Sequence, residues 1–375
     1  MKRMICTAAV LLALCVPARA DDGLSMDEAM EIILEHHSVE TDMDVADYLT
    51  LDAEAMTREA AVTAVVRSYG VYPVDEPDHL WADEEEQDEV YRPYIDYAQR
   101  MGITAGVGGN RFAPTRPVTA WELRTMLERA DGIEPEYPLY YESPICKLLS
   151  AGIQMGLSLV PDFLVDSFYE EGRTITAAAN PIVLDDGYTL PERYIGWIWY
   201  EGDMWIAVNC HGHPCYDHTM TVIHELGHYL GHRTRLLNRH SVAPERDWLM
   251  EFFRDYCNES NHEFFADSFA AYILWPEEMA ANAPAVYQHI GRCLHEMKSD
   301  LEETNDERNH RSTHHRRRDA GGGADQQSEI PGRHRHEAGG ADPGGQGAQP
   351  LCPADAGGGG ADQGHQPPYR GPGAA

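Results

Sequence analysis

Up to about Leu301 the apolar positions fall into short blocks of helical or alternating period, each bounded by capping or turn residues. Ser25-Met26-Asp27-Glu28 has the form of a capping box and predicts a short amphipathic helix over Ala29–His37, followed by an acidic stretch. MTREAAVTAVVRSYG, from Met56, predicts a second amphipathic helix. In YRPYIDYAQRMGITAGVGGNRFAPTRPVTAWELRTMLERA the pattern predicts a helix, a turn built on Gly106, Gly108 and Gly109, and another helix from about Thr119. Pro114 and Pro117 stop any helix from starting earlier.

From about Glu134 to Asp300 helical and alternating blocks are mixed, which predicts one α+β domain. YPLYYESPICKLLSAGIQMGLSL reads as a largely buried helical stretch, Pro161–Gly172 as a helix closed by Gly172, and RTITAAANPIVL as a strand. YIGWIWYEGDMWIAVN alternates aromatic and aliphatic residues around Glu201-Gly202-Asp203, which predicts a β-hairpin over Ile195–Val208. Beyond Leu301 the chain turns to Gly, Ala, Pro, His, Gln and Arg. A segment of that kind buries too little apolar surface to offset its chain entropy and is expected to be disordered. The abrupt change also fits translation from a shifted reading frame, and His314, His315, His334 and His336 read as incidental, with weak metal binding as the other reading.

Composition narrows the function. A chain of 375 residues with 43% hydrophobic content can build more than one core. Its net charge of −33, with no basic stripe, excludes nucleic acid as a partner and favours cationic substrates at low salt. Lys2 and Arg3, an apolar run through Val16 and then Ala18-Arg19-Ala20 have the layout of a secretory signal over 1–20. The run is short for a span and no later segment is long and apolar enough, so the expectation is a secreted or cell-surface protein with no stable membrane span. Export permits disulfides, but sequence cannot pair the remaining cysteines. Cys210-His211-Gly212-His213-Pro214-Cys215 reads as a tight loop, closed by a Cys210–Cys215 bond, ahead of a small metal site.

The chemistry concentrates in TVIHELGHYLGH. On a helix, His224 and His228 are one turn apart and can meet one ion, with Glu225 beside them placed to reach a water. Val222, Ile223, Leu226 and Leu230 supply an apolar side, Asp217 or Thr219 can start the helix, and Gly227 implies a close packing partner. A catalytic zinc site needs a third protein ligand and an open position. Thr234 stands where one common pattern has a third histidine, and His232 would stack on the same straight helix. Downstream, DYCNESNHEFFADSFAAYILWP places Glu263 and Asp267 one turn apart on a helix anchored by Phe264, Phe265, Phe269 and Ile273. Glu263 is the preferred third ligand and Glu259 its rival.

HELGH, the Y-x6-E-F-F-A-D-x-F run from Tyr256 to Phe269, and NAPAVYQHI from Asn282 together resemble the anthrax lethal factor-like metallopeptidases, which include the secreted Pro-Pro endopeptidases. The resemblance implies a zincin-like gluzincin domain holding Zn2+ through His224, His228 and Glu263. Glu225 would then be the general base, Tyr256 would offer its hydroxyl to the oxyanion, and Asp267 would orient His224. The partner implied is a protein or peptide substrate, with the hairpin lying beside it. Export, Tyr256 and NAPAVYQHI set this family ahead of the similar intracellular ImmA/IrrE-like peptidases, which share HELGHYL and E-x-x-A-[DN]-x-F-A.

The segment before it resembles S-layer homology repeats, through the GI-x-x-G turn at Gly102, Phe112-Ala113-Pro114 and the Thr57-Arg58-Glu59 helix start. Thr119-Ala120-Trp121-Glu122 lacks the usual arginine, and only one full and one partial repeat are visible. Cell-wall polysaccharide is the partner this resemblance implies; a packing module for the neighbouring domain is the other reading. The expected organisation is a signal at 1–20, an acidic helical lead-in at 21–50, a small, mainly α S-layer homology-like domain at 51–132, the α+β metallopeptidase domain with a small sheet and active-site helix at 133–300, and a low-complexity tail at 301–375. A wall-associated binding or adhesion protein with an inactive protease-like domain is the competing function.

Overall fold

The computed structural model describes residues 23–74, 81–199, 202–210, 213–214 and 218–319, the last stretch from 305 in backbone only. The expected signal, the loop residues Cys210 to Cys215 as a possible disulfide, and the tail from 320 lie outside the described residues or side chains. The chain divides into two units. One comprises the described residues up to Glu136 together with Ser143–Gln154 and the 209–216 segment; the other holds Tyr137–Glu142, Met155–Val208 and the chain from Asp217. The lead-in helix therefore belongs to the first unit, and so does a segment expected in the peptidase domain.

The first unit is helical: α1 (Met26–His36), α2 (Ala46–Thr50), α3 (Arg58–Ser68), α4 (Arg92–Arg100), α5 (Ala120–Ala130) and α6 (Pro144–Leu148). Ser25 and Glu28 close the capping box that opens α1, and Thr119 and Glu122 close the one that opens α5. The helix expected to be amphipathic, α3, is buried along its whole length. Its two arginines allow this because each finds partners inside. Arg58 donates to Glu122 at 3.1 Å and to Thr104 Oγ1 at 2.9 Å, and lies over the Phe112 ring. Arg67 donates to the Tyr48 carbonyl at 3.0 Å and the Tyr94 hydroxyl at 2.9 Å. The buried Asp83 carboxylate accepts from the backbone of Phe112 and Ala113, both at 2.8 Å, and so holds the Phe-x-Pro corner.

The second unit is mixed α and β. Its strands β1 (Tyr140–Tyr141), β2 (Ile175–Ala179), β3 (Gly196–Ile198) and β4 (Met204–Cys210, of which Asn209 and Cys210 fall in the first unit's segment) take the order β1-β2-β4-β3. Within that 209–216 segment β5 (His213–Pro214) pairs with Asn209 and Cys210. Strand β1 runs parallel to β2. It occupies residues expected to be helical, because Pro138 and Pro144 bracket two tyrosines that favour an extended edge. The helical stretch after it breaks into α6 and α7 (Ala151–Leu159). Strands β3 and β4 pair antiparallel, with Trp197 opposite Trp205, as the alternating pattern requires.

Helix α8 (Asp162–Glu170) ends at Gly172, whose φ is +79°. It packs on α9 (His218–Arg233), where the Tyr229 hydroxyl lies 2.8 Å from Ser167 Oγ and donates to Glu171 at 3.0 Å. Helices α10 (Ala243–Phe252), α11 (Asn261–Leu274), α12 (Pro276–Asn282) and α13 (Pro284–Asp319) follow. Glu245 of α10 caps the start of α13 by accepting from the Ala285 and Val286 amides at 3.3 and 2.9 Å. The first part of α13 packs through Val286, Ile290, Cys293, Leu294 and Met297. The helix then continues past the boundary expected at 300, since 301–319 contains neither glycine nor proline and is rich in helix-forming Glu and Arg.

Candidate metal centre

Helices α9 and α11 build the centre. The side chains of Val222, Ile223, Leu226 and Leu230 are fully buried and fix which face of α9 turns inward. Gly227 sets how close α11 comes: a Cβ there would meet the Ala266 Cα at 2.8 Å and its carbonyl at 3.0 Å. Phe264, Phe265 and Phe269 bury the other helix, and Ser260 caps it by accepting from the Glu263 amide at 3.1 Å. That places the Glu263 carboxylate in the first turn of α11, where the helix dipole favours it.

His224 Nε2 and His228 Nε2 stand 3.2 and 3.3 Å from the same atom, Glu263 Oε2. Among the described residues these three form a group whose candidate ligand atoms all lie within 4.8 Å of one another. His232 and Glu259, weighed from sequence, are not part of it. The His232 ring faces His262 at 5.5 Å between centroids, and Glu259 is exposed. Glu263 Oε2 is buried without an aligned hydrogen bond, although two imidazole nitrogens crowd it. Two ligand atoms about 2.0–2.1 Å from one tetrahedral ion lie roughly 3.3–3.4 Å apart, so the two measured separations suit ligands converging on a zinc-sized ion.

Burial alone would raise the Glu263 carboxyl, but the two imidazoles hold it well below the usual carboxylate range. Burial would lower the His224 imidazole; the Asp267 carboxylate, its bond to Nδ1 and the Glu263 carboxylate beside Nε2 overcome this and raise it to about 9. His224 Nδ1 lies 2.7 Å from Asp267 Oδ1, the geometry in which a carboxylate fixes a histidine's tautomer. The short aspartate suffices because Gly227 lets the helices close up. Glu225 is buried, and burial raises its carboxyl against the opposing pull of His228 and His224. The Tyr256 ring lies 6.1 Å from that of His224, in the 3-10 turn Asp255–Asn258 that packs on α11.

Sequence reasoning missed two participants. Strand β3 ends the strand order, and Gly196 presses against Glu225: a Cβ there would lie 2.5 Å from Glu225 Oε1 and 2.5 Å from Thr221 Cγ2. Arg254 bonds to Asp267. Neither belongs to a motif; the lack of a side chain at the start of an aromatic-rich strand was the one available signal for Gly196.

Residues 87–119 match the S-layer homology domain. The matched segment runs from Gln87 through α4 and the glycine turn to Thr119, the cap of α5. S-layer homology domains bind cell-wall polysaccharides, and the match points to cell-surface or cell-wall association. Arg58, at the helix start noted in the sequence and before the matched segment, is 5% exposed and committed to Glu122 and Thr104. No curated protein and no solved structure matches the chain. Among the described residues no helix is long and apolar enough to cross a membrane.

Proposed function

We propose that the protein is a secreted or wall-associated zinc-dependent endopeptidase of the lethal factor-like, gluzincin kind. The observation that supports this best is the convergence of His224 Nε2 and His228 Nε2 on one buried Glu263 oxygen, 3.2 and 3.3 Å away. His224, His228 and Glu263 would hold the ion, which would supply a Lewis acid for the scissile carbonyl and make a water acidic near neutral pH. Glu225 takes the proton from the attacking water and passes it to the departing amine. Its buried carboxyl, raised by that burial, holds a proton more readily than a solvated one would. Tyr256 gives a hydrogen bond to the oxyanion. An extended peptide adds alongside β3, the last strand in the sheet order, so that its main chain passes the base at Gly196. The S-layer homology region keeps this chemistry near cell-wall polysaccharide.

The deciding experiment measures zinc content and peptide-library cleavage for the wild type and Glu225→Ala. Retained zinc with lost cleavage supports the reading; equal cleavage by both removes the base. A wild type that binds zinc and cuts nothing in the library favours the competing reading, a wall-binding protein with an inactive protease-like domain. Sedimentation of the full chain with purified cell wall, with and without soluble wall polysaccharide as competitor, tests attachment separately.

A further inference from the structure

Arg254 opens the turn that carries Tyr256, and its carbonyl accepts from the Cys257 thiol at 3.2 Å. From there the guanidinium reaches Asp267 on α11. Its Nε donates to Oδ1 at 3.0 Å and to Oδ2 at 3.1 Å, and Nη2 bonds closely to Oδ1 as well. Nη2 also stands 3.1 Å from His224 Nδ1, and the guanidinium carbon lies 5.0 Å from the centre of the Tyr256 ring. Asp267 is wholly buried, with 0% of its side chain exposed.

These contacts fix where the proton on His224 sits. A guanidinium has no acceptor, so it can only donate. A lone pair on Nδ1 would face the Asp267 oxygen 2.7 Å away, lone pair against lone pair. When the ring carries a single proton, as a metal ligand must, that proton sits on Nδ1, the imidazole and Arg254 both donate to the same carboxylate, and the lone pair is on Nε2, on the side of Glu263 and His228. Asp267 can then serve His224 only in the orientation in which Arg254 holds it, because the guanidinium engages both of its oxygens.

We propose that Arg254 is a positioning residue for the metal centre, acting on His224 through Asp267 and on Tyr256 through its ring. The inference rests on the zinc-peptidase reading. It links the ligand helix pair to the tyrosine turn through one planar cation, which a lysine, with a compact charge and no fork, cannot imitate.

The test uses the full chain, with Arg254→Met and Arg254→Lys beside the wild type and His224→Ala. Zinc affinity is read by chelator competition, the ligand field by the visible spectrum of the cobalt-substituted protein, and folding by thermal melts. Arg254→Met is expected to bind zinc about 10–100-fold more weakly, the range for loss of a group that orients a ligand, with an altered cobalt spectrum. Arg254→Lys, which keeps a charge beside Asp267 if Arg254→Met fails to fold, is expected to recover only part of the affinity. A wild type that binds zinc through His224 while the folded Arg254 variants match its affinity and spectrum would overturn the Arg254 role alone. A wild type no better than His224→Ala at taking up zinc would refute the peptidase reading beneath it.

Discussion

Gly196 and Glu225 are pressed together across the join between β3 and α9: a Cβ built on Gly196 would stand 2.5 Å from the Glu225 carboxylate oxygen. The same Cβ would strike Thr221 Cγ2, so neither the strand nor Glu225 can yield without moving the other. Gly196→Ala should therefore displace Glu225, the proposed base, and leave the three proposed ligands alone. A misplacement of about 1 Å can cost roughly a hundredfold in rate, so turnover of a cleaved peptide should fall by about tenfold or more with zinc content unchanged. Unaltered turnover in a fully loaded variant would show that the base and strand do not work in register.

Gly227 makes the corresponding contact on the other side of α9, against backbone. The Ala266 Cα and carbonyl cannot swing away as a side chain can, and the Phe269 Cβ, 3.1 Å from the same point, closes the remaining space. Alanine normally stabilises a helix by about 1 kcal/mol over glycine, whereas forcing an extra methyl into a packed interior costs about 1–3 kcal/mol. The second term should win. Gly227→Ala is expected to lower the melting temperature and, by pushing α11 outward, to weaken zinc binding. A variant melting above the wild type would mean that the helices have room to spare.

How much of this could be read in advance depended on whether a feature was local. His224 and His228 were legible because a one-turn spacing puts two imidazoles on one face whatever surrounds the helix. Glu263 needed a second helix, and only its combination with Tyr256, the phenylalanines and Asp267 singled it out over Glu259. Caps were legible too, since Ser25 with Glu28 and Thr119 with Glu122 satisfy each other within one turn. The burial of α3 was not, because its arginines look like solvent residues until Tyr48, Tyr94 and Glu122 are brought from elsewhere in the chain. Arg254 and Gly196 were missed for the same reason: each acts through a contact that only the tertiary fold creates.

Asp267 serves His224 and Arg254 at once, so its charge has two consequences. Asp267→Asn keeps an oxygen that can accept from His224 Nδ1 but removes the anion facing the guanidinium. Breaking a buried ion pair from one side costs about 3–5 kcal/mol. Arg254 keeps 25% of its side chain exposed, which reduces this to about 2–4 kcal/mol here. Zinc affinity should also fall by about 10–100-fold. Thermal melts in the presence of chelator isolate the first effect, and chelator competition gives the second. Wild-type stability in the chelated variant would mean that Arg254 finds another partner.

The first unit, which contains the segment matching the S-layer homology domain, should carry its own pH dependence, centred on His37. Ser68 Oγ gives its proton to the Val65 carbonyl at 2.7 Å, so in the 2.8 Å contact between His37 Nε2 and Ser68 Oγ the imidazole is the donor. A second proton would have to go to Nδ1. Burial, then the neighbouring His36 and Lys147, push the imidazole down from 6.5 to about 4, with Asp131 opposing. Above pH 6.5 His37 is neutral in both folded and unfolded chains and contributes no slope. As the pH falls below that value the unfolded chain binds a proton that the folded one refuses until about 4, so stability is lost across that interval. Amide exchange in α1 and α3 should therefore lose protection between those pH values more steeply in the wild type than in His37→Gln, which keeps a donor for Ser68 but cannot titrate. Parallel losses in the two proteins would assign the acid sensitivity to the unit's carboxylates instead.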